Sequence, residues 1–145
     1  MRSHRWAIAG AVLLITLLGV GCQQESPTAG IYQIVLSRAV GPNQDPIGET
    51  DTFTPTSVVY CSVRFSALPA GTVLTARWYH EGQLIESGTT AYTIGQTEWS
   101  QTQEAVGYVT FRFEPRSPMP VGSYHVEISL NDQVGQRLPF QVLAP

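Results

Sequence analysis

The sequence predicts an all-β protein: a single antiparallel sandwich of two sheets and seven or eight strands, preceded by an N-terminal signal helix. Three observations carry that expectation. From residue 31 onward apolar residues recur at every second position in segment after segment, the period of a half-buried strand, and no segment holds a helical period. Turn-forming residues stand between those segments: after residue 21, Ser and Thr supply 23 of the 124 positions, and Gly and Pro ten each. Each segment has only one apolar face. A lone sheet would leave that face wet, so two layers are the economical arrangement.

The chain begins with a basic start, Arg2 and Arg5, followed by an uncharged, almost wholly apolar run of 15 residues, 6–20. A membrane-spanning helix takes ~20 apolar residues, so this run fits the apolar core of a secretory signal better than an anchor. It ends in Leu18-Gly19-Val20-Gly21-Cys22, with small residues just before a cysteine. This stretch resembles the lipobox of bacterial lipoprotein precursors; Gly21 and Val20 suit that pattern, while Gly19 stands where Leu is usual. The resemblance covers residues 1–22 and implies three steps: diacylglyceryl transfer to the Cys22 thiol, cleavage before Cys22, and acylation of the new N-terminus with a palmitate-type chain. Two other readings stay open from the residues alone. One is ordinary cleavage near Gly19 or Gly21 with Cys22 left as a thiol or disulfide partner; the other is an uncleaved anchor. Asp after the lipidated Cys resembles an inner-membrane retention signal, so Gln23 leaves outer-membrane sorting open. The expected organisation is a signal peptide over 1–21, a lipidated Cys and polar tether over 22–30, and a sandwich over 31–145.

The strands follow in order. Residues 31–39 put Tyr32, Ile34 and Leu36 on one face. Residues 41–56, with Pro42, Pro46, Gly48 and Pro55, read as a long loop. In 57–66, Val59, Cys61, Val63 and Phe65 share a face against Tyr60, Ser62 and Arg64. In 73–80, Leu74, Ala76 and Trp78 alternate with Thr75, Arg77 and Tyr79. Glu81-Gly82 turns the chain into 83–86, residues 89–94 form a further edge strand, and the polar stretch 95–103 is loop. Residues 106–114 point Val109, Phe111 and Phe113 inward; 115–121, with three prolines, is a connection. Residues 122–130 put Tyr124, Val126, Ile128 and Leu130 inside and Ser123, His125, Glu127 and Ser129 outside. After a turn at 131–133, residues 134–143 close the chain with Leu138, Phe140 and Val142 inward.

Trp78 on an early-middle strand, the run from Pro120 to Ile128, and the closing hairpin through Val142 resemble the immunoglobulin-like and fibronectin-III-like sandwiches of bacterial envelope proteins. The resemblance covers most of 31–143 and implies a fold, not an activity. It implies that Tyr124 ties a loop to the sheet through its hydroxyl. The paired cysteines of antibody domains are absent, so Cys61 has no partner within the fold once Cys22 is lipidated.

Composition narrows function. The chain of 145 residues is 13% charged with a net charge of −3, and all eight of its cations are Arg. Without residues 1–21 it holds six Arg against eleven acidic residues, a formal charge of −5. That lacks the basic surplus of a nucleic-acid binder. Two cysteines exclude a disulfide-dense scaffold. Trp78, on an alternating strand, is a core anchor, and Cys61 is a buried, inert thiol. Trp99, in a polar stretch, is a candidate contact residue, as is Tyr79 on the outward face. The acidic loop carrying Asp45, Glu49 and Asp51 is a further binding candidate, although it lacks the carboxylate rhythm and central Gly of a calcium loop. His125 and Glu127 share a strand face, which solvated polarity explains; no third ligand stands at metal spacing. Gly-x-Ser-x-Gly and a phosphate loop are both missing. The expectation is a non-enzymatic envelope module without cofactor or metal, anchored through Cys22. It would present loops or a sheet face to a protein or glycan partner; a structural accessory subunit of an envelope complex and a periplasmic ligand or metal carrier using His125 and Glu127 are the alternatives.

Overall fold

A computed structural model describes residues 30–94 and 107–145. Cys22 and Trp99 lie outside them. Among the described residues ten strands form two sheets. The first sheet runs β2 (Pro46–Glu49), β1 (Gly30–Val40), β4 (Val59–Ser66), β8 (Gly107–Phe113). The second runs β3 (Thr52–Phe53), β10 (Gln133–Val142), β9 (Gly122–Leu130), β5 (Val73–His80), β6 (Gln83–Leu84), with β7 (Thr90–Thr93) also on β5. A 3-10 turn, Glu86–Gly88, stands between β6 and β7. The second sheet carries the strand neighbours of an immunoglobulin-like sandwich, in which the last strand lies beside the penultimate one and that in turn beside the third long strand.

The expected sandwich is present, with two departures in its strands. Residues 46–49 and 52–53 are strands rather than loop, which raises the count to ten. Both are too short and polar to show alternation. They exist because β1 and β10 offer long edges for backbone pairing, β2 antiparallel on β1 and β3 parallel on β10. The chain therefore crosses from one sheet to the other between 49 and 52. The second departure is at the start of β1. A register shift between Ile31 and Gln33 makes Tyr32 an extra residue, 49% exposed, and turns Ile31 toward the core beside Ile34 and Leu36.

The core lies between the sheets, where the alternation placed it. Val59, Cys61 and Val63 from β4 face Leu74, Ala76 and Trp78 from β5, Val126 and Ile128 from β9, and Val142 from β10, all with no exposed surface. Burial of one large apolar side chain contributes about 1.5–3 kcal/mol. Trp78 bridges the layers: its ring stacks on Phe113 of the opposite sheet at 5.2 Å and meets Phe140 edge-on at 6.0 Å.

Two tight hairpins fix registers. Leu130 pairs with Gln133 around Asn131 and Asp132, and His80 with Gln83 around Glu81 and Gly82; all four turn residues have positive φ, the geometry that matches strand twist. Asn131 also accepts the Val73 N–H through Oδ1 at 2.9 Å. The sandwich thus has two distinct ends. Gly30, which pairs with Ser66, shares one end with the 67–72 connection and the Asn131 turn. The Glu81 turn and the 114–121 connection form the other, where β10 also terminates beside Gly122.

Candidate functional site

The outer face of the six-stranded sheet gathers polar side chains from its three long strands. Register sets Tyr79 opposite His125, and Arg77 and Arg137 on either side of Glu127. The Tyr79 and His125 rings stack with centroids 4.5 Å apart and planes 6° from parallel. Arg137 donates from Nε to Glu127 Oε1 at 3.0 Å, and its Nη2 donates to the same oxygen. Arg77 donates from Nη1 to Ser129 Oγ at 3.2 Å and reaches Asp132 with Nη2 at 3.5 Å. His125 Nε2 is buried, 3.7 Å from Glu127 Oε1 and just outside hydrogen-bond reach.

This face corrects the expectation of solvated polarity. The Glu127 side chain is only 8% exposed, because neighbouring side chains from β5, β9 and β10 close over it. Burial alone would raise its carboxyl. The hydrogen bonds from Arg137 and Tyr79, with the positive field of Arg137 and His125, outweigh burial and hold it below the ordinary value. His125 is displaced downward by burial and by the Arg137 charge, against the pull of Glu127. Burial pushes the Tyr79 hydroxyl up, and its hydrogen bond to Glu127 adds to that, against the Arg77 and Arg137 charges.

The Glu127 carboxylate is already bound, so it is not a free base, and no group of three His, Cys, Asp or Glu side chains able to hold a metal occurs among the described residues. What faces outward is a flat aromatic pair bordered by two guanidinium groups.

The other residues singled out from the sequence are dispersed. Trp78 is fully buried, with its indole N–H lacking a partner among the described residues. Tyr124 donates its hydroxyl to the Pro120 carbonyl at 2.8 Å, tying the β8–β9 connection to the sheet. Cys61 is buried, and burial pushes its thiol up to about 12. Asp45 and Asp51 stand at opposite ends of β2 rather than together. The Asp45 carbonyl accepts from Gly41 N, whereas the Asp51 carboxylate accepts from Thr52 Oγ1 at 3.1 Å. The role of Arg137 was missed. The register that sets it opposite Glu127 depends on a shift between Val134 and Gln136, which no alternation in the sequence marks. No protein-family model matches the chain, and no curated protein matches it in sequence.

Proposed function

We propose that this protein is a lipid-anchored lipoprotein of the cell envelope. Its sandwich acts as a rigid, non-enzymatic interaction module, presenting the outer face of the six-stranded sheet to a protein or glycan partner. The Tyr79–His125 stack, next to the row in which Arg77 and Arg137 flank Glu127, carries this reading. Tyr and Arg are enriched at binding hot spots, and side chains already held by neighbours lose little freedom on binding. Location rests on the leader ending at Cys22. Several acyl chains on that residue give stable anchoring where one would be marginal. With a charge of −5 after processing, the domain has no electrostatic reason to lie flat on an anionic bilayer. A tether over 23–30 reaches roughly 26 Å when extended, at ~3.3 Å per residue.

The test is a pull-down from native envelopes together with membrane fractionation. Cys22→Ala should abolish acyl labelling and release the protein from membranes. Tyr79→Ala and Arg137→Ala should each lose partners that the unaltered protein retains. Membrane retention by lipid in the first variant, or an unchanged partner set in the other two, would overturn the reading. An accessory-subunit role is favoured by one observation: β8, seven residues long, has no strand on its outer side among the described residues, and an added strand could pair there. The sequence placed that edge at 83–94 instead, where β6 and β7 are only two and four residues long.

A further inference from the structure

A cavity of about 310 Å³ opens at the Glu81-turn end of the sandwich, on a different surface from the sheet face above. Its volume is at the lower bound of small-molecule sites, roughly 300–1,000 Å³. Its floor is apolar and aromatic: Phe113, Met119 and Tyr124 are each nearly buried, and His80 stacks on Tyr124 at 4.4 Å. Its rim is polar, with Ser87, Glu114, Arg116 and Ser117.

The wall between floor and rim is fixed before any ligand arrives. Pro115, Pro118 and Pro120 restrict φ along the connection. Tyr124 holds the Pro120 carbonyl, and Met119 N donates to the Pro55 carbonyl at 2.8 Å. A preformed wall removes most of the ordering cost of binding.

The rim charges are not balanced. Glu114 is taken by Arg112, with Nη2 to Oε2 at 2.7 Å. Arg116 makes no ion pair among the described residues, and neither Ser87 nor Ser117 spends its hydroxyl on another described residue. Among the described side chains, the cavity therefore joins an aromatic floor to one guanidinium without an ion pair and two hydroxyls without a partner. That combination complements an anion carrying an apolar body. A guanidinium fork and neighbouring hydroxyls match the two oxygens of a carboxylate. A second hollow of about 180 Å³ flanks the same connection, but Pro55, Thr56 and Val58 give it no aromatic floor.

We propose that this cavity binds a small monocarboxylate with an aromatic or branched apolar body, its carboxylate at Arg116 and its body on Phe113 and Tyr124. The same chemistry is offered by a free acid and by the carboxy-terminal residue of a peptide. Isothermal titration calorimetry of the purified full chain tests this with 3-phenylpropanoate, its amide, the peptide Ala-Ala-Phe, and that peptide amidated. The acids should bind saturably, and each amide about tenfold or more weaker, because charge-assisted bonds exceed neutral ones. Arg116→Gln should weaken the acids to the level of the amides, and Ser117→Trp should block the mouth for both. Both residues are exposed, so unchanged thermal midpoints will show that the variants fold. Tighter binding of the peptide assigns the site to chain ends; equal or tighter binding of 3-phenylpropanoate assigns it to free acids. Absence of binding by both acids, equal affinity of acid and amide, or undiminished binding by Arg116→Gln would overturn the proposal.

Discussion

Glu127 concentrates the chemistry of the sheet face. It is a buried carboxylate whose proton affinity Arg137 and Tyr79 lower, beside a histidine whose proton affinity burial lowers. Both groups bind protons less tightly in the folded protein than in the unfolded chain, so both make stability fall on acidification. The His125 contribution is complete above its ordinary value of 6.5 and is lost as pH drops through its lowered folded value. The Glu127 contribution is complete above 4.5 and is lost below that, through its own lowered value. Urea midpoints measured from pH 7.5 to 3.5 should therefore decline in two stages. His125→Phe should remove the upper stage and leave the lower one; a flat profile through both windows would contradict this account.

At the scale of elements, the Trp78–Phe113 stack joins the two layers, and the 3-10 turn closes over it. A side-chain carbon at Gly88 would sit 2.9 Å from Trp78 Cδ1 and 3.2 Å from Phe113 Cε2. The fully buried Trp78 ring cannot retreat in a packed core. Gly88→Ala should thus destabilise the fold by about 1–3 kcal/mol, the range for overpacking, read as a lower urea midpoint with an unchanged slope. The long strands were legible because their pattern is set by one-sided burial: Val59 to Phe65, Leu74 to Trp78 and Tyr124 to Leu130 face inward as alternation requires. Elements set by long-range pairing were not legible. β2 and β3 have no apolar rhythm of their own, and the displaced Tyr32 depends on a bulge against β4. The sheet face was half legible. His125 and Glu127 were readable as neighbours on one face, but the burial of Glu127 needs Tyr79 and Arg137 from two other strands. The end cavity was invisible, since 114–120 announces only a stiff connection while His80 and Ser87 arrive from a distant hairpin.

At the scale of the molecule, the two ends of the sandwich are chemically unlike. One carries the start of β1 and the Asn131 turn; the other carries the proline-walled cavity. In the anchored form proposed above, a fluorophore on an Asn131→Cys variant should be quenched by lipid headgroup quenchers more strongly than one on Ser117→Cys. Equal quenching would mean that the domain lies on its side.

The entry of the chain at Gly30 gives that asymmetry a direction. β4 spans the height of the sandwich in eight residues, about 27 Å at ~3.4 Å per residue. If the proposed anchor holds the domain where β1 begins, the cavity would sit like a lamp at the head of a post, a full domain height from the tether.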